Sequence, residues 1–120
     1  MDTLETRETA QLIASDKVED TPVYNSRGEK LGSIERVMID KRSGQAVYAV
    51  MSFGGFLGIG EKYHPLPWGV LKYDTGKGGY VVNLDRQQLQ GAPTIEADSE
   101  FDWTDRTWGR RVHDYYGMPY

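Results

Sequence analysis

The chain has 120 residues and no cysteine, so disulfides, thiol nucleophiles and thiolate-bound zinc are all excluded. Histidine is nearly as scarce, with only His64 and His113. Neither stands in an H-x3-H or H-E-x-x-H arrangement, so no metal and no cofactor is expected. No serine occupies a G-x-S-x-G elbow. No catalytic residue emerges, and the chain is expected not to be an enzyme. Long apolar runs are missing too: nothing approaches the roughly 20 residues of a membrane helix. The opening MDTLETRETAQLIASD lacks the basic and apolar regions of a secretory signal. These absences lead to the expectation of a soluble, cytoplasmic protein without a membrane span.

A strong charge bias is also absent. The net charge is -4, spread unevenly. Residues 1–21 carry six acids and two bases, residues 22–84 eight bases and five acids, and residues 85–120 seven acids and four bases. A mildly basic centre between acidic flanks is too weak a signal for a nucleic-acid partner, which needs a dense Lys/Arg patch. The acidic run Glu96, Asp98, Glu100, Asp102, Asp105 lacks the glycine and terminal glutamate of a calcium loop and reads as a solvated linker.

What the chain does have is glycine, tyrosine and tryptophan, at fourteen, eight and three residues. From Thr21 onward it reads as short strands and turns. Residues 22–24 form a strand, and Asn25-Ser26-Arg27-Gly28 a turn with Gly28 at positive φ. LGSIERVMID, residues 31–40, switches its apolar face between Ile34 and Val37, which calls for one extra residue, a β-bulge near Glu35-Arg36. Residues 45–53, QAVYAVMSF, place Val47, Ala49, Met51 and Phe53 on one face and Tyr48 and Val50 on the other. Both faces are apolar, so this strand is expected to be central. Its second face needs a cover, either the C-terminal tail or a second subunit.

The stretch FGGFLGIGEKYHPLPW poses a sharper question. Its glycines suggest a phosphate cradle, yet Glu61 stands where a Walker loop requires lysine, and Pro65 and Pro67 forbid the following helix. The glycines are read instead as a reversal between two strands, with Phe56, Leu57 and Ile59 at an apolar tip that either folds back as a lid on the barrel end, the favoured reading, or meets a partner. In YHPLPW, Pro65 and Pro67 remove donors from the same edge, marking an edge or corner strand. DTGKGG then joins two strands of a hairpin. Asp85 caps a short helix through Leu89 that ends at Gly91. Beyond the acidic linker, residues 104–117 predict a second helix, capped by Thr104 or Asp102. Trp108, Val112 and Tyr115 would share one face, with Gly117 and Pro119 as the stop.

The runs VYNSRGEKLGSIERVMID, AVYAVMSFGGFLGIGEKYHPLPW and YVVNLDRQQLQGAP together resemble the PRC-barrel domain. The hairpin N-x-x-G-E-K-L-G, an apolar strand, the G-G-F-L-G-I-G loop and a strand ending in proline follow in that family's order, over roughly residues 15–92. The tail WGRRVHDYYGMPY is similar to tails of stand-alone bacterial members. The resemblance implies a mainly β fold: a small, curled antiparallel barrel of about six strands with a short helix after the last strand and a C-terminal aromatic helix. Its better-known members, the barrel of the photosynthetic reaction-centre H subunit and that of ribosome maturation factors, act by contacting other proteins. The family has no shared catalytic motif.

The expected organisation is a polar arm at residues 1–14, a PRC-barrel domain at 15–92, and an acidic linker with an aromatic helix at 93–120, packing on the barrel or on a second subunit. The expected function is a non-catalytic protein-interaction or scaffolding module, self-associating as a homodimer and open to another protein partner. Tyr48 and Val50 on the second face of the central strand, Phe56 and Leu57 at the loop tip, and Trp103, Trp108, Tyr115 and Tyr116 of the tail, residue types enriched in binding hot spots, are the interface candidates. The alternative is a small-ligand or anion-binding domain built from the glycine loop of residues 54–60 with Lys62 and His64.

Overall fold

A computed structural model describes Glu8, Thr9 and residues 11–53, 62–96 and 102–120, with backbone alone at Phe53, Lys62 and Glu96. The expected tip residues Phe56 and Leu57, and the glycine loop of 54–60, lie outside the described residues.

Six strands form one curled sheet: β1 (Pro22–Asn25), β2 (Lys30–Ile39), β3 (Ala46–Phe53), β4 (Lys62–Pro67), β5 (Lys72–Asp74) and β6 (Gly79–Val82). A two-residue strand, β7 (Ile95–Glu96), extends the spatial order to β5-β6-β1-β2-β3-β4-β7. β7 falls where the sequence reads as linker only. Among the described residues, hydrogen bonds do not close the ladder into a cylinder; β5 and β7 stand at the two ends of the order. The sheet is mainly β with short helices, as expected, but it is not antiparallel throughout. β1 and β6 run parallel, with Val23 opposite Tyr80 and Asn25 opposite Val82. A parallel neighbour far along the chain is chosen by long-range packing, which local patterns do not report.

The local turn chemistry follows from the residues. Asn25 Oδ1 accepts from the backbone N–H of Arg27 and of Glu29, and Gly28 takes φ +84°. At the β5–β6 turn, Asp74 Oδ1 accepts from the N–H of Gly76 and of Lys77. Between β2 and β3 the register passes from Ile34 opposite Met51 to Arg36 opposite Val50, leaving Glu35 as the extra residue, where the sequence places its bulge. A second bulge was not legible. Met38 faces Tyr48 and Ile39 faces Ala46, so Val47 is extra on β3 and swings outward to 38% exposure. It does not join the buried face of Ala49 and Met51.

β3 and β4 pair antiparallel from Tyr48–Pro67 to Ser52–Tyr63, so the chain reverses between them, and a strand, not a helix, follows the glycine stretch. Among the described residues, β7 pairs with β4 at Lys62 and Tyr63. The strand beyond carries Pro65 and Pro67, which lack ladder donors.

The inner face of the sheet holds Val23, Leu31, Ile34, Ala49, Met51, Leu66, Tyr80 and Val82, closed by Val18 of α1 (Ser15–Val18) and Leu89 of α2 (Arg86–Gln90). α2 begins in a capping box: Asp85 accepts from Gln88 N–H while the Gln88 side chain accepts from Asp85 N–H. Two orphan donors are thereby satisfied reciprocally.

Candidate interaction face

Residues directly opposite each other in a ladder point to the same side of the sheet. Tyr48 faces Pro67 and Val50 faces Pro65, so these four side chains form an apolar patch on the outer side of β3–β4. All four are buried, and Tyr48 and Val50 are only 7% and 3% exposed. Their cover is the C-terminal segment. The Tyr48 ring lies 5.4 Å from Trp103, 6.5 Å from Trp108 and 5.4 Å from His113, centroid to centroid. Trp103 and Trp108 meet edge to face at 86°. Such tilted and perpendicular pairs match the positive ring edge to the negative ring face. Burial pushes the Tyr48 phenol upward from its ordinary pKa.

The helix that delivers these rings, α3, spans Arg106–Tyr115. Its N-cap is Asp105, whose side chain accepts from Trp108 N–H, while Asp102 instead closes a turn on Thr104. The cap therefore differs from the expected Thr104 or Asp102. At the other end Met118 N–H donates to His113 C=O and Gly117 N–H to Asp114 C=O, with Gly117 at φ +68°. This is a Schellman stop, which requires a residue that tolerates positive φ.

The buried stripe of α3 is Gly109, Val112 and His113, continued by the half-buried Tyr116 just past the helix. It is rotated from the expected Trp108–Val112–Tyr115 stripe, with Val112 the shared position. Gly109 is the reason. A Cβ there would stand 2.7 Å from Tyr120 Oη, so the glycine that weakens the helix admits the terminal ring. His113 is held by its Nδ1–H, which donates to Gly109 C=O at 2.8 Å, and by the Tyr120 ring at 4.9 Å. Tyr115 stays 41% exposed, though its hydroxyl donates to Gln88 C=O and ties α3 to α2.

Tyr116 packs against the main core, and its hydroxyl has no partner among the described residues. Burial pushes its pKa well up, with a further push from Tyr115. An unsatisfied buried hydroxyl costs stability. Tyr116→Phe is expected to raise the unfolding free energy by about 1 kcal/mol, read as a higher urea midpoint at unchanged slope.

The other sequence candidates are placed as follows. Val50 lies in the covered patch, and Trp103 and Trp108 are half-buried over Tyr48. His64 is buried at 3% exposure on the inner side, its Nε2–H donating to Leu89 C=O at 2.7 Å. It ties β4 to α2 there. The structure gives Lys62 as backbone only. Among the described residues no three His, Asp or Glu side chains form a metal-holding group, and no helix is long and apolar enough to cross a membrane. Sequence reasoning missed Pro65 and Pro67 as members of the outer patch; it saw only their lost donors. It also missed His113 and Tyr120.

The described residues form a curled, mainly β domain whose distinctive feature is an apolar face covered by the C-terminal segment. The comparison with known families is specific: residues 11–89 match the PRC-barrel domain, and the chain belongs to that family. At family level this is a protein-interaction module, and such domains are generally non-catalytic. No curated protein matches the chain.

Proposed function

We propose that this protein is a non-catalytic interaction module that self-associates through the outer β3–β4 patch and the aromatic C-terminal segment. One observation carries the reading. The patch of Tyr48, Val50, Pro65 and Pro67 is sealed by a segment that follows the acidic stretch and still presents Tyr115 and Tyr120 at 41% and 54% exposure. A face that accepts its own tail accepts the identical tail of a second copy, the exchange that makes homodimers at low cost. Exposed Ile39 and Val47, at 50% and 38%, add apolar surface at the β2–β3 end. Val47 also lines a groove of about 320 Å³ with Met118 and Pro119. Arg106, whose guanidinium lies 5.9 Å from the centre of the Tyr120 ring, adds a residue type common in hot spots. The lack of cysteine suits a reducing, cytoplasmic setting.

Sedimentation velocity at micromolar concentration tests this. The full chain is expected to sediment as a dimer that dissociates on dilution, and a chain ending at Asp102 as a monomer. A full chain that remains monomeric throughout that range removes self-association.

A further inference from the structure

A separate cavity of about 350 Å³ lies between the N-terminal segment and the β5–β6 hairpin. The barrel contributes Trp68, Tyr73 and Tyr80 to its wall, and the N-terminal segment contributes Glu8 and Ile13. The rings stand at steep angles: Trp68 and Tyr80 at 65° with centroids 5.6 Å apart, Tyr73 and Tyr80 at 77° and 5.1 Å. A rounded guest can therefore touch more than one ring. No Lys, Arg or His is among the described lining residues, and Glu8 is the charged side chain of the wall.

The Glu8 carboxylate is held in place. Tyr73 Oη–H donates to Oε2 at 2.6 Å, and Lys17 Nζ donates to Oε1 at 2.6 Å. These two bonds, Lys17 foremost, hold the Glu8 carboxyl below its ordinary pKa, so it is charged at neutral pH. The Tyr73 phenol is pushed up to about 12, first of all by the same bond to Glu8. Lys17 is itself 44% exposed, and an ion pair so open to water is readily exchanged for another cation.

We propose that this cavity binds a free small organic cation bearing a methylated ammonium group. Aromatic faces attract such a cation through their quadrupoles, and the methyl groups that spread its charge also suit an apolar wall. The carboxylate supplies the opposite charge, and it disfavours phosphate and carboxylate ligands. The volume falls in the range of small-molecule sites, and a choline-sized guest needs only part of it. Lys17 acts as the resident competitor for Glu8. The site shares Trp68 with the groove beside Val47, but none of its other lining residues, and its test by choline titration is separate from the test of self-association.

The test is titration of choline into the full chain, followed by NMR shifts of the Trp68 indole and of Tyr73. Saturable shifts at those residues are expected, with affinity about tenfold above that for the neutral isostere 3,3-dimethylbutanol. Glu8→Gln, which keeps an oxygen for Tyr73, is expected to weaken choline about tenfold, and Lys17→Met to strengthen it a few-fold. Both variants alter exposed or half-exposed side chains, so circular dichroism matching the parent is expected. Equal binding of choline and the isostere, shifts confined to other residues, or unchanged affinity in Glu8→Gln would each overturn the site. Binding to phosphatidylcholine vesicles without binding to free choline would overturn the assignment to a free ligand.

Discussion

Gly32→Ala is expected to cost about 3 kcal/mol, a large share of the roughly 5–15 kcal/mol that holds a domain of this size together. Gly32 sits in β2 between Val23 of β1 and Phe53 of β3. A Cβ at this position would stand 1.8 Å from the Ser52 carbonyl oxygen and 3.2 Å from Met51 Cγ. Backbone in the middle of a sheet cannot retreat without breaking the ladder on one side, so the clash is not relieved by a rotamer change. Gly44→Ala is the control. Gly44 has φ +75° but nothing within 4 Å of the added atom, so only the left-handed backbone penalty of about 1 kcal/mol applies. Urea denaturation of both variants checks the contrast. Equal midpoints would mean that β2 and β3 do not approach so closely. The result also explains the N-x-x-G-E-K-L-G motif: its first glycine turns the chain at Gly28, and its second, Gly32, clears the way for a neighbouring carbonyl.

Tyr48→Ala is the second large effect, about 3–5 kcal/mol, because it removes a buried ring and leaves a void under the C-terminal segment. Its consequence reaches further than stability. Trp103, Trp108 and His113 all lean on Tyr48, so the loss of this ring should loosen α3 from the sheet. Hydrogen exchange in residues 106–115 is expected to quicken beyond what global destabilisation alone produces. Tyr48→Phe retains the ring and is expected to lie within about 1 kcal/mol of the parent. A cycle of Tyr48→Ala with Trp103→Ala should show a coupling of about 0.5–1.5 kcal/mol. Unchanged protection of α3 in Tyr48→Ala would show that the segment is held elsewhere, and would weaken the case for the patch as the self-association face.

The particular successes and misses share a pattern. The turn at Gly28, the cap at Asp85, the bulge at Glu35 and the helix stop at Gly117 were all readable, since each is decided by residues within a few positions of one another. The bulge at Val47 was not readable. VYAV is apolar at every position, so an extra residue leaves no break in the pattern. The face of α3 was misjudged for a similar reason. Gly109 and His113 look unsuited to burial, but Tyr120 fills the space over the glycine, and the Gly109 carbonyl accepts a hydrogen bond from His113 Nδ1–H. Glu8, read as part of a polar arm, is anchored by Tyr73, 65 residues away. Nothing near Glu8 in the chain announces that partner.

The sequence by itself determined the strand-and-turn order, the centrality of residues 46–53, the position of both longer helices and the absence of thiol chemistry. These rest on side-chain period, backbone φ preference and caps, which act over a few residues. Only the tertiary structure decided that β1 runs parallel to β6, that two prolines join Tyr48 and Val50 in one covered patch, and that three rings and a carboxylate line one cavity. Those features arise from contacts between distant segments, whose free energy depends on how surfaces fit once the chain has closed on itself.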